Sequence, residues 1–337
     1  MTPPEPQLPP GLAALVAGMA REEAPPLPVQ LRAPDLRDLG RGNVLPGVWS
    51  FRAEEPGPHV AVVALVHGNE IGGAIVLEHW LRAGLRPRRG RLSLIFANLD
   101  AYGHFDPEDP TASRFLEEDL NRLWSTEVLE GGRRSAELRR ARVLRPLLDT
   151  VDLLLDLHSM LWPSDPLILA GSTQRGAEMG MALGFPPLVV QDQGHEAGAR
   201  LIDYAPFLES GSHRTAVLLE AGEHWQAATP RIMAETAGRF LRLTGCVAAD
   251  DPALAPAPGR PRPRLAVVTQ TVTAATNRFA FLRPWRGGEV VPARNTLLAL
   301  DGEQEIRTPH DDCVLVMPSL RVARGHTAVR LARFLDA

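Results

Sequence analysis

Lysine is absent from this 337-residue chain, and all 36 of its basic residues are arginine. That removes every mechanism built on a side-chain amine, Schiff-base formation and the phosphate-loop lysine included. Cysteine is scarce. Cys246 and Cys313 lie far apart and match no metal-binding spacing, so no disulfide framework is expected and a reducing compartment is. There is no positive excess to attract nucleic acid, because the formal net charge is −4. No apolar run reaches the roughly 20 residues that span a bilayer. The opening residues, Met1-Thr2-Pro3-Pro4-Glu5-Pro6, have neither the basic nor the apolar region of a signal peptide. The expectation is a cytoplasmic protein with no nucleic-acid and no membrane partner.

What is present is a globular composition. Hydrophobic residues make up 45% of the chain, enough to fill the core of one large domain or two. Residues 1–40, rich in Pro, Leu and Arg, read as an N-terminal arm with a short helix at Ala13–Glu23. From 41 to 249, apolar runs alternate with helical patterns. Strands are expected at 58–66, 91–97, 151–157, 166–170, 187–190 and 215–219. Helices are expected at 72–83, 130–148, 174–183 and 230–243, with a long polar loop at 100–119. Near-continuous Val/Leu strands separated by helices indicate an α/β layer with a mainly parallel mixed sheet. Residues 250–264 are a proline-rich linker, and 265–337 read as a small β domain, a barrel or sandwich, closed by a short helix near Ala328–Leu335.

Three polar residues stand where apolar runs stop. Ala64-Leu65-Val66 ends in His67-Gly68-Asn69-Glu70, Val151–Leu157 ends in His158, and Thr215–Leu219 ends in Glu220. In an open α/β sheet, ligands collect beyond the carboxyl ends of the strands, so all three belong to one rim. His67, His158 and Glu70 can make a three-ligand zinc site with one open position, the arrangement of catalytic zinc, and Glu220 gives that site a candidate proton carrier. Asp156, on the His158 face of its strand, is placed to orient that ring. Taken singly, each residue has an ordinary reading: a surface histidine, a helix-start acid, a strand-end charge. The conjunction is what points to metal.

Four segments resemble the succinylglutamate desuccinylase/aspartoacylase family, a branch of the zinc carboxypeptidase superfamily. His67-Gly68-Asn69-Glu70 resembles its His-x-x-Glu motif. Arg114-Phe115-Leu116-Glu117-Glu118-Asp119-Leu120-Asn121-Arg122 resembles its Arg-x4-Asp-Leu-Asn-Arg segment. Asp156-Leu157-His158 resembles the strand with the third ligand, and Glu220-Ala221-Gly222 the strand end with the catalytic glutamate. The resemblance implies a zinc-carboxypeptidase-like fold and one Zn2+ per chain, on His67, Glu70 and His158. It implies Glu220 as general base and then general acid, and Arg114 as the group that polarises the scissile carbonyl. Asn121 and Arg122 would hold a substrate carboxylate. It leaves a homodimer open.

The implied activity is hydrolysis of the amide bond of an N-acyl amino acid or similar small carboxylate. A zinc carboxypeptidase acting on short peptides would use the same groups, and a non-catalytic metal- or ligand-binding relative would need neither Glu220 nor Arg114. The aspartoacylase branch also uses an arginine about ten residues before the catalytic glutamate and a tyrosine in the C-terminal domain. Here that position is Ser210, and the two tyrosines, Tyr102 and Tyr204, both precede the linker. The resemblance therefore does not extend to N-acetylaspartate as the substrate. Roles for His224, Trp225, Arg200 and Arg214 stay open.

Overall fold

A computed structural model describes residues 27–335, which form two compact units, 28–267 and 268–334. The helix expected at Ala13–Glu23 lies outside the described residues. Residues 28–40 belong to the larger unit, where Leu36 and Leu39 are buried in its core.

Among the described residues, the larger unit is built on a sheet in the order β1-β3-β2-β4-β7-β5-β6-β8. The strands are β1 (Val48–Arg52), β2 (Glu55–Ala64), β3 (Arg89–Phe96), β4 (Leu153–Met160), β5 (Leu167–Leu169), β6 (Leu188–Gln191), β7 (Thr215–Glu223) and β8 (Arg264–Thr273). Pairing is parallel except for β1 on β3 and β5 on β7. The sheet is thus mainly parallel and mixed, as the alternating pattern predicts; the short edge strand β1 had no such signal.

The long helices are α1 (Ile71–Arg82), α2 (Ala136–Leu148), α3 (Gln174–Leu183) and α4 (Thr229–Thr244). The helix expected over 130–148 is two pieces, with Gly131-Gly132 between them and Ser135 capping α2. Helices α1, α3 and α4 share one apolar cluster with Val60, Val62, Ala64, Leu155, Leu157, Val217 and Leu219. Side chains alternate along a strand, so Asp156, His158 and Glu220 lie on the opposite face. His158 and Glu220 sit inside β4 and β7 and not after them, and they are direct neighbours in register.

Residues 250–263 form no helix or strand, but the segment is anchored. Ala253 and Leu254 are buried in the larger unit's core, and Arg242 donates to the Ala255 carbonyl at 3.0 Å.

The smaller unit continues from β8 into β9 (Phe279–Phe281), β10 (Val290–Val291), β11 (Leu297–Asp301), β12 (Gln304–Arg307), β13 (Cys313–Val316) and β14 (Thr327–Phe334). Strands β9, β11 and β12 form one antiparallel sheet, and β14, β13 and β10 are neighbours in the other. Phe281, Leu298 and Ile306 from the first share a core with Val291, Leu315 and Leu331 from the second, a sandwich arrangement.

The C-terminal helix expected near Ala328–Leu335 does not exist: the segment is strand β14. Its Ala, Leu and Arg are good helix formers, but Val314 pairs with Ala332 and Leu315 with Leu331, and 328–332 are buried on both faces. Cross-strand pairing overrides local propensity. Among the described residues, no helix is long and apolar enough to cross a membrane.

Helix α1 lies close to the sheet because Gly73 has no side chain. A Cβ there would stand 2.8 Å from the Ala64 Cβ and 3.2 Å from the Leu157 Cβ. Gly73→Val is expected to cost about 1–3 kcal/mol through overpacking, read as a lower denaturant midpoint. An unchanged midpoint would mean the helix does not approach this closely.

Candidate metal centre

The turn after β2 sets two of the three positions. Leu65 is fully buried and takes a φ of 57°, a left-handed conformation that such a side chain adopts only when its surroundings impose it. Here the N–H groups of Ala97 and Asn98 hold the carbonyls of Ala64 and Leu65, each at 2.8 Å. The chain leaves the sheet at that point and presents His67. At Gly68, a Cβ would lie 2.5 Å from backbone atoms of Ala101, Tyr102 and Ser113. Only glycine fits, and its N–H donates to the Arg114 carbonyl at 3.0 Å. Glu70 follows as the N-cap of α1.

His158 reaches the same point from β4. The His67 Nδ1 is 2.6 Å from Glu70 Oε1, and the His158 Nδ1 is 3.2 Å from Glu70 Oε2. One ligand atom from each of the three lies within 4.8 Å of the others, and all three residues are buried. Two neutral imidazoles and a carboxylate are a donor set that zinc accepts. The residues fit such an ion.

The outer nitrogens of both rings meet carboxylates. His67 Nε2 lies 2.9 Å from Asp119 Oδ1. His158 Nε2 lies 2.9 Å from Asp156 Oδ2, off the hydrogen-bonding direction. Arg114 Nη2 also approaches His67 Nε2, at 2.9 Å, while its other nitrogen is 3.4 Å from Glu70 Oε1. The two contacts on His67 Nε2 exclude each other. Donation from Arg114 needs that nitrogen unprotonated, and donation to Asp119 needs it protonated.

Charge and burial oppose each other here. Burial pushes the Glu70 carboxyl up, but the His67 and His158 rings outweigh it and hold the group well below the usual carboxylate range. Burial pushes His158 down, but Asp156 and Glu70 raise it well above the usual histidine value. Asp119 is likewise raised by burial and lowered further by His67, Arg114 and Arg122. Glu220 is the exception. Burial pushes its carboxyl up to about 8, the His158 charge offsetting only part, and its Oε2 is buried without a hydrogen-bond partner. A buried acid with one unpartnered oxygen, in register beside His158, is poised to exchange a proton near neutrality.

The loop bearing Arg114 and Asp119 is fixed by a residue that sequence reasoning missed. The backbone N–H groups of Leu116, Glu117 and Glu118 donate to the Glu137 carboxylate at 2.7, 3.2 and 3.3 Å, and Asn98 Nδ2 donates at 3.2 Å. Glu137 is 1% exposed, although on the sequence it is simply an acid in a helix's first turn. Ser159 was missed too; its N–H donates to Glu70 Oε2 at 2.9 Å.

The remaining candidates divide. Asn121 is buried and its Oδ1 accepts the Leu201 N–H at 2.8 Å, so that oxygen serves the neighbouring loop. Arg122 donates to the Asn121 carbonyl at 2.6 Å and stands 3.7 Å from Asp119. Arg200 is buried between Asp192 and Asp203, with four contacts of 2.6–3.0 Å. Arg214 precedes the first residue of β7, about 20 Å of strand from Glu220 at roughly 3.3 Å per residue. Ser210, His104 and His213 are exposed. His224 and Trp225 are buried beside the centre.

The chain belongs to the family of the succinylglutamate desuccinylase/aspartoacylase catalytic domain, whose model matches residues 56–242, more than half of its length. It is 30% identical over 118 residues to aspartoacylase of Mus musculus, a stretch covering 32% of this chain and 36% of that protein. It is 30% identical over 113 residues to an N-acyl-aromatic-L-amino acid amidohydrolase (carboxylate-forming) of Xenopus laevis, covering 31% and 35%. The chain thus spans about a third of the length of the curated relatives it matches. The fold is shared with a succinylglutamate desuccinylase of Vibrio parahaemolyticus at a TM-score of 0.64 and 18% identity, covering 86% of this chain and 87% of that one.

Two predictions follow from these contacts. Glu137→Gln keeps one acceptor oxygen but turns an N–H donor toward the backbone N–H of Leu116 or toward those of Glu117 and Glu118, and should cost about 1–3 kcal/mol. The loop should then open locally, seen as faster tryptic cleavage between Arg114 and Phe115 by mass spectrometry; an unchanged rate at that bond would contradict the anchoring role. Glu220 governs a pH dependence in metal-free protein. The native state keeps a proton that the unfolded chain, with its carboxyl near 4.5, releases. Its stabilising contribution is therefore complete below pH 4.5 and is lost as pH rises through about 8. Relative to wild type, Glu220→Gln should gain stability across that interval in urea titrations with chelator; a constant difference would refute the assignment.

Proposed function

We propose that this protein is a zinc-dependent hydrolase that cleaves the amide bond of an N-acyl amino acid or similar small carboxylate. The observation that carries the reading is the convergence of His67 Nδ1 and His158 Nδ1 on the Glu70 carboxylate, with Glu220 in register beside His158. The family supports the same chemistry, since relatives include an aspartoacylase and an N-acyl amino acid amidohydrolase.

His67, Glu70 and His158 hold the ion. When bound, zinc supplies Lewis acidity and positive charge, and lowers the pKa of water from 15.7 toward about 7. Glu220 then does the proton work: it takes a proton from the attacking water and returns it to the amine as the C–N bond breaks, leaving a carboxylate and a free amine. If His67 Nδ1 faced the ion, its Nε2 would carry the proton and donate to Asp119. Arg114 would then be free of that nitrogen and able to stabilise the oxyanion. Arg122, braced on the Asn121 carbonyl, holds the substrate carboxylate in the bidentate geometry that a guanidinium allows. Asn121 braces that clamp against the loop at Leu201 as well as lining it.

The test is a screen of zinc-loaded protein against N-acyl amino acids and short peptides, reading out free amine. Release from N-acyl amino acids is expected; release from peptides alone would make it a carboxypeptidase, and release from neither a binding protein. His158→Ala should lose metal and activity together. Glu220→Gln should retain metal and lose roughly 10²–10⁴-fold in turnover. Wild-type rates for the Gln variant would remove Glu220 from the mechanism.

A further inference from the structure

Two buried side chains with no assigned role reach Glu70 through one intervening residue each. The route begins with an irregularity between β4 and β7. His158 is opposite Glu220, but Met160 is opposite Glu223, so β7 carries one extra residue. Gly222 absorbs it at a φ of 96°, a conformation suited to glycine. Such bulges re-aim the strand beyond them. Without the extra residue, position 224 would continue on the face of His158. With it, His224 falls on the face of Ser159, and its N–H donates to the Met160 carbonyl at 2.9 Å.

From there His224 Nδ1 lies 2.8 Å from Ser159 Oγ, and Ser159 is the residue whose N–H holds Glu70 Oε2. The next side chain closes the other side. Trp225 Nε1–H donates at 3.0 Å to the carbonyl of Asn69, the peptide that leads into Glu70. The two rings pack at 5.1 Å between centroids, and both residues are buried. One ring therefore braces the strand that donates to the ligand carboxylate, and the other braces the turn that carries it.

We propose that His224 and Trp225 are positioning residues for Glu70, and that they set the affinity of the centre for its divalent ion. The inference rests on the reading of the site as a metal centre. Partners beyond the direct ligands fix ligand orientation, and their loss typically weakens metal binding about 10–100-fold. Packing alone would lower stability and leave the affinity of folded protein unchanged.

The experiment is zinc competition against a chelating dye, on the full chain, with thermal unfolding of each metal-free variant. Trp225→Phe keeps the ring and removes the N–H; His224→Ala removes the Ser159 partner. Both should weaken zinc binding about 10–100-fold in protein that still unfolds cooperatively. His224→Asn, with a polar atom near the place of Nδ1, should recover most of the loss. Trp80→Phe, equally buried but nearer the far end of α1, should bind as wild type. Wild-type affinity in folded Trp225→Phe and His224→Ala overturns the proposal. If those variants do not fold, Ser159→Ala decides: it keeps the N–H to Glu70 and removes the hydroxyl that meets His224, so it should weaken binding similarly, and wild-type affinity overturns the proposal. Wild-type protein that binds no zinc overturns the metal-centre reading itself, an outcome separable from the variants.

Discussion

A carboxylate with almost no contact with water has to be held by charge, and Glu70 is in that position. Two imidazoles, a guanidinium and a main-chain N–H converge on its two oxygens. Burying an isolated ion costs several kcal/mol even after relaxation, and the cost is offset only when partners are close and well directed. The surrounding structure follows from that requirement. The left-handed Leu65 and the closely packed Gly68 shape the turn that presents His67 and meets Arg114, and the extra residue in β7 turns His224 toward Ser159, whose N–H holds the same carboxylate. Local strain at such points persists because the neighbouring structure over-determines it.

The centre also holds more protons than a metal site can keep. Without an ion, His158 is drawn toward its charged form between Glu70 and Asp156, and Glu220 toward its neutral form by burial. Ligation requires neutral imidazoles, so metal binding at such a site is coupled to proton release. The competition of Arg114 and Asp119 for His67 Nε2 belongs to the same balance. Were an ion held on the Nδ1 side, Nε2 would carry the proton and donate to Asp119, and the Arg114 guanidinium would be left to meet negative charge.

The regular part of the fold was legible in the sequence, because buried parallel strands and amphipathic helices write their period directly into the residues. The span of α3 coincides with the helix expected there, and the candidate triad of His67, Glu70 and His158 was visible as polar residues at the ends of apolar runs. Local pattern misled where long-range pairing decides. Thr327–Phe334 has helix-forming residues and becomes a strand because β13 offers it a partner. The short β1 exists only as an addition to the edge of β3. His158 and Glu220 were placed one step too late, since a strand's end is set by its neighbour's length and not by its own apolar run.

By itself the sequence determined which chemical groups this protein has and which ends of the apolar segments carry them: two imidazoles, their carboxylates and an arginine-rich motif, in a chain with no lysine. Only the tertiary structure decided that Glu137, 20 residues beyond Glu117, pins the Arg114 loop, that Arg200 is spent on Asp192 and Asp203, and that His224 turns toward Ser159. Composition and period are properties of a segment. These contacts join backbone and side chains distant along the chain, and they exist only once packing has set the distance and direction between them.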